Sequence, residues 1–248
     1  MSVLVQIKEN LIKGKANDVK TLVTQALGQG LKPADILYQG LLAGMSVVGE
    51  RFKKNEVYVP EVLIAARAMK AGMEILKPSL AAAGVQPLGT IVIGTVKGDL
   101  HDIGKNLVGM MLEGAGFRVI DAGINVEPAK FVEEASKNNA TLIGVSALLT
   151  TTMTNMKAVV DCVKASEIAG KTKVIIGGAP VTQAFCDEIG ADGYAADAAS
   201  GADLAKEILS RVQAATVKGD STEAMLKTLM SKVDAIDSRL KTLESKVR

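Results

Sequence analysis

The sequence predicts an α plus α/β chain: an N-terminal four-helix bundle, a parallel five-stranded sheet wrapped by helices, and a C-terminal heptad helix. Three observations carry this. The first 80 or so residues keep helical apolar spacing broken by short polar stretches. From residue 90 onward, short β-rich apolar runs alternate with amphipathic segments. The last thirty residues repeat apolar positions in steps of three and four.

In the bundle, helices are expected over 4–12, 16–27, 33–52 and 60–76, divided by "KGKAN", "GQGLK" and "KKNEVYV". Pro33 and Pro60 suit a first helical turn, where a missing N–H leaves no bond unmade. Val62, Ala65, Ala66, Met69, Met73 and Leu76 keep helical spacing along the fourth helix. "AAAGVQPLG" at 81–89 is expected to be a linker and hinge.

Beyond it, the strands are "TIVIGT", "FRVIDAG", "TLIGVSA", "KVIIGG" and a weaker "GYAAD". Helices are expected near 104–115, 128–138, 152–168, 181–189 and 199–213. Near-continuous apolar strands separated by helices indicate a parallel sheet covered on both faces. Five such strands suit a flavodoxin-like (Rossmann-type) order, 2-1-3-4-5, whose ligand sits beyond the carboxyl ends of strands 1 and 3.

In the tail, Leu226, Leu229, Val233, Ile236, Leu240, Leu243 and Val247 form a heptad seam. With Leu226 at position a, parallel pairing of two copies would set Lys232 against Asp237 and Arg239 against Glu244. The expected domains are therefore 1–86, 88–213 and 214–248, the last serving homo-oligomerisation.

Composition narrows the function. Among 248 residues, 29 Lys and Arg oppose 27 Asp and Glu, with no Trp and only seven Phe or Tyr. A nucleic-acid surface usually needs a basic stripe or a stacking platform, so no nucleic-acid partner is expected. No apolar stretch reaches the length of a membrane span, and the N-terminus carries charges from Lys8, so a soluble cytoplasmic protein is expected. Cys162 and Cys186 lack metal-ligand spacing and read as reduced core residues.

His101, in "GDLHDIGKN" (98–106), is the only histidine. It leaves strand 1, facing "SALLTTT" (146–152) after strand 3 and "IGGAP" (176–180) after strand 4. Asp99 is placed to accept one imidazole N–H, which would fix the tautomer and raise the basicity of the other nitrogen. One histidine cannot build a protein-only zinc or iron site. A lone axial ligand to a metal already chelated by a macrocycle suits this inventory. A helix-capping or loop-bonding histidine suits it equally on the residues alone. No GxGxxG opens a helix after strand 1, which weakens a dinucleotide reading.

"DLHDIGKN" resembles the DxHxxG signature of cobalamin-binding domains, and "SAL" followed by Gly177-Gly178 is similar to their later pattern. "GMSVVGERFKKNEVYVPEVLIAARAMKAGM" (44–73) resembles the helical cap of methionine synthase's corrinoid module. Cap plus binding domain without a catalytic barrel resembles the stand-alone corrinoid proteins of methanogens and acetogens. The likeness covers about residues 1–213; the heptad tail lies outside it.

That resemblance implies the roles. His101 would be the lower axial cobalt ligand, Asp99 the carboxylate orienting it, and Thr152 the hydroxyl ending the relay, where methionine synthase has serine. Asp102 would be a cofactor-binding residue and Gly104 would leave room for the corrinoid's displaced nucleotide tail, with Ser146, Leu148, Thr150, Gly177 and Gly178 lining its channel. Phe52 and Val59 would cover the upper face, the latter replacing a leucine. The implied cofactor is cobalamin or a related corrinoid, cycling between cob(I)alamin and methylcob(III)alamin. The implied partners are a substrate-specific methyltransferase, a second methyltransferase delivering to coenzyme M or tetrahydrofolate, and a reductive activase. The chain would be a carrier, not catalytic alone. A cobalamin-sensing regulator or an adenosylcobalamin mutase subunit are the alternatives.

Overall fold

In a computed structural model of the chain, residues 1–214 are described. The predicted heptad helix, apart from residue 214, lies outside them. Residues Met1–Lys206 form one compact unit.

The bundle starts with α1 (Val3–Ile12) and α2 (Ala16–Gly28). Ser2 caps α1, its side chain accepting from the Val5 amide. The third predicted helix is one continuous run of three parts: α3 (Pro33–Asp35), a π-helical segment (Ile36–Leu42) and α4 (Ala43–Lys53). The fourth, α5 (Val59–Ala82), carries Pro60 in its first turn and Pro78 inside it. The helix expected over 60–76 stops short of Pro78, which has no N–H and crowds the preceding turn. Leu80, buried, keeps the helix's apolar face going beyond the proline, so the connector is only 83–89.

The second layer is a parallel sheet in the order β2-β1-β3-β4-β5. Its strands are β1 (Thr90–Thr95), β2 (Arg118–Asp121), β3 (Leu142–Ser146), β4 (Lys173–Gly177) and β5 (Gly193–Ala195). The intervening helices are α6 (Ile103–Gly114), α7 (Pro128–Lys137), α8 (Thr150–Met153), α9 (Asn155–Lys164) and α10 (Gln183–Ile189). A last helix, α11, covers 198–214 of the described residues. The expected helix 152–168 is instead two helices that stop at Lys164. Ile168 is buried eight residues after Val160, a helical spacing that reaches past the true end of the helix.

Phe131, Ile143, Val145, Met156, Val160 and Ile176 fill the core on one face of the sheet. Against β1 the fit is tight: a Cβ on Gly94 would lie 2.6 Å from the Phe131 ring.

On the other face, α4 lies against α6 and α11. Met45 packs on Gly114, and Gly49 packs on Met111 and Ala199. Rising residue numbers in α4 therefore meet falling numbers in α6, so the two helices run antiparallel. Since α6 starts at the carboxyl edge of the sheet, the C-terminal end of α4, with Phe52, points toward that same edge.

Phe131 is fully buried. Phe131→Ala is expected to cost about 4 kcal/mol, from lost apolar burial plus the cavity left against β1. Urea unfolding of the ligand-free protein measures it.

Candidate functional site

The strand order reverses between β1 and β3, so the loops leaving them part at the carboxyl edge, where α/β sheets take their ligands. The β1 exit carries His101, the β3 exit leads through Leu148 to Thr152, and the β4 exit is Gly177-Gly178. Gly178 has φ +135°, and a Cβ there would lie 1.9 Å from the Ala147 carbonyl oxygen. Only glycine lets the β4 exit lie this close to the β3 exit.

Asp99 is the centre of the arrangement. Its side chain is 0% exposed, yet it is a carboxylate. Oδ1 accepts from the His101 amide at 3.1 Å and pairs with His101 Nδ1 at 2.7 Å. Oδ2 accepts from the Leu148 and Leu149 amides at 2.8 and 3.4 Å and from the Thr152 hydroxyl at 2.6 Å. Burial alone pushes the carboxyl pKa up. The hydrogen bonds from Thr152, Leu148 and His101 outweigh it and hold the group well below the ordinary range.

An ionised carboxylate only accepts, so the imidazole proton lies on Nδ1. Nε2 then carries a lone pair, and among the described residues it has no hydrogen-bond partner. The His101 side chain is 50% exposed. Thr152 is itself buried, and its hydroxyl reaches the carboxylate despite the extra methyl group. His101, Asp99 and Thr152 are thus brought together as one hydrogen-bonded line.

The other expected residues surround this line at varying distance from it. Asp102 precedes α6 and accepts from the Asn106 side chain at 3.1 Å. Gly104 faces open space, with nothing within 4 Å of where its Cβ would be. Ser146 closes β3, in register with Thr95 on one side and Gly177 on the other. Leu148 and Thr150 are exposed. Phe52, near the end of α4, and Val59, at the start of α5, are half-buried.

Two polar groups here escaped the sequence reading. The buried Thr95 hydroxyl donates to the His101 carbonyl at 2.8 Å, tying the end of the loop to the strand. Lys105, 4% exposed, pairs with Asp121 at the end of β2 and donates to Asn106. A lysine inside the signature itself was the only hint, since its partner lies on another strand.

The residues fit a corrinoid on their own chemistry. A single imidazole offers its free nitrogen, and no cluster of three His, Cys, Asp or Glu occurs among the described residues. A metal held here must bring its other ligands with it. Around the imidazole, Leu100 and Ile103 are 67% and 77% exposed, and Leu148 and Leu149 are also exposed. Such an apolar rim suits a broad, partly apolar macrocycle.

Thr152→Val removes one donor from a buried carboxylate. It is expected to destabilise the ligand-free protein by about 2 kcal/mol, whereas Thr152→Ser keeps most of that stability. Chemical denaturation of both variants checks this.

Comparison with known proteins agrees with this fit. Two family models, each described as a B12 binding domain, match residues 89–203 and 3–77. A corrinoid protein of Desulfitobacterium hafniense (strain Y51) is 41% identical over 214 residues, covering 85% of this chain and 99% of the relative. The dimethylamine corrinoid protein of Methanosarcina barkeri is 44% identical over 208 residues, covering 84% and 97%. Among solved structures, the methanol:cobalamin methyltransferase complex of M. barkeri matches with a TM-score of 0.75 at 30% identity, covering 84% of this chain and 80% of that one. A cobalamin-binding protein of D. hafniense DCB-2 matches with a TM-score of 0.69 at 32% identity, covering 82% and 97%. With relatives above 40% identity matched over nearly their whole length and an unpaired imidazole nitrogen at the switch point, the chain belongs to the corrinoid protein family.

Proposed function

We propose that this protein carries methyl groups between two methyltransferases on a corrinoid ligated by His101. The observation that carries the reading is the line Thr152–Asp99–His101, which leaves Nε2 free at the carboxyl edge of the sheet. When bound, the corrinoid supplies a cobalt centre that takes up a methyl group and gives it up again.

The chain's own residues do the rest. Asp99 holds the Nδ1 proton of His101, which keeps the lone pair on Nε2 and makes it a better donor. Thr152 and the Leu148 amide keep Asp99 ionised. Asp102, Gly104, Ser146, Leu148, Thr150, Gly177 and Gly178 border the space for the nucleotide tail. Gly104 leaves that space open, and Gly178 lets the loop backbones close beside it. Phe52 and Val59, at the end of the cap nearest the carboxyl edge, cover the upper face and exclude water until a partner docks. The cap is taken as 1–86 and the binding domain as 88–213, so the connector 83–89 is where the cap would swing.

One partner is a methyltransferase that holds the methyl donor. Similarity to dimethylamine and trimethylamine corrinoid proteins favours a methylated amine as that donor. The second partner delivers to coenzyme M or tetrahydrofolate, and a reductive activase returns oxidised cofactor to the cycle. No described helix is long and apolar enough to cross a membrane. The heptad seam of 214–248 would join copies of the carrier.

Purified protein is expected to take up one corrinoid per chain. With ¹⁵N-labelled histidine, the electron paramagnetic resonance spectrum of the Co(II) form should show coupling to a single ¹⁵N nucleus. A Co(II) spectrum of the parent without ¹⁵N coupling, or a nitrogen-ligated spectrum left unchanged by His101→Ala, would rule out the assignment. Removal of 215–248 should lower the mass seen by light scattering and leave corrinoid uptake intact; unchanged mass would reject the tail's role.

A further inference from the structure

We propose that Asn125 and Asn155 are positioning residues that aim the His101 imidazole, gripping its loop from two neighbouring segments. The inference deepens the reading of His101 as a metal ligand and rests on it for its purpose, though not for its geometry.

Three successive residues of the loop are held by these two asparagines. Asn125, on the connection after β2, accepts from the Gly98 amide through Oδ1 at 2.7 Å. Its own amide donates to the Asp99 carbonyl at 3.0 Å. From the other side Asn155, the first residue of α9, donates through Nδ2 to the Lys97 carbonyl at 2.8 Å. Neither contact is local: the side-chain bonds span 27 and 58 residues of sequence.

The need for a grip follows from Gly98. Its φ of +80° makes the turn possible, but glycine resists few other conformations. A loose turn would let Asp99 and His101 shift together, since the carboxylate follows its own backbone. The Asp99 side chain fastens the loop to the β3 exit, but the peptide groups of 97 to 99 need partners of their own.

Asn125 fills a position that glycine could also fill, and the side chain it adds is bonded to the loop. It sits at φ +52°, a left-handed conformation that glycine adopts with less strain. A turn alone would be served by glycine; what glycine lacks is the Oδ1 that receives the Gly98 amide. Asn155 points the same way, because its side chain reaches back to the β1 exit.

A single histidine makes the test direct, because every imidazole signal belongs to His101. Long-range ¹⁵N–¹H spectra of the ligand-free full chain report the tautomer. The parent protein should show the Nδ1–H form. Asn125→Gly keeps the backbone conformation and removes the acceptor. It should shift the tautomer ratio toward Nε2–H by about fivefold, the effect of one hydrogen bond. Asn125→Asp keeps an acceptor oxygen and should restore the parent ratio. Asn155→Ala should shift the ratio in the same direction as Asn125→Gly. Parent-like imidazole spectra in both Asn125→Gly and Asn155→Ala would overturn the proposal, with amide spectra away from the loop confirming that each variant is folded. The Co(II) corrinoid form of the parent protein tests the ligand reading separately. Missing ¹⁵N coupling there would refute His101 ligation, while the tautomer shifts would still decide the role of the two asparagines.

Discussion

The buried Asp99 carboxylate is the interaction on which the site depends. A charge with no solvent exposure is strongly unfavourable unless hydrogen bonds replace its hydration. Here both oxygens are supplied by the protein, and the donors come from two separate loops. The requirement to satisfy one side chain therefore fixes where the β1 and β3 exits lie relative to each other. Removing any donor leaves the rest to carry a charge that cannot reach water. For the same reason the imidazole is not free to choose its tautomer.

Much of this was legible in the sequence. Strands of five or six residues with an unbroken apolar middle and β-branched side chains read correctly, because burial on both faces leaves no alternation to misread. The helix errors came where tertiary packing overrode local signals. Pro78 is a local stop, but the buried Leu80 keeps α5 going. The segment Ile36–Leu42 is π-helical, a distinction that apolar spacing does not resolve.

The site was legible only as far as its parts lie close in sequence or follow a known signature. His101 and Asp99 sit two residues apart, and the resemblance placed Thr152. Thr95, Lys105, Asn125 and Asn155 act through partners that only the fold brings near. Lys105 meets Asp121 because β2 lies beside β1. Composition does not signal such a pairing, and a buried lysine reads as a surface residue in any one-dimensional pattern.

The cap and the loop rest on different kinds of contact, and this divides their work. The loop is held by directional hydrogen bonds with little tolerance for displacement. The cap meets the binding domain through Met45, Gly49, Met111, Gly114 and Ala199, which are small or flexible apolar groups. At the rim of that contact, Lys53 of α4 pairs with Asp203 of α11, and both groups are partly exposed. Ion pairs in such positions contribute little, about 0 to 1 kcal/mol. An interface of apolar groups rimmed by one partly exposed ion pair can separate without leaving these groups buried and unpaired. The polar network around Asp99 cannot do so. A ligand loop fixed by hydrogen bonds, beside a cap held by apolar contacts, suits a corrinoid protein, which must hold its cofactor firmly.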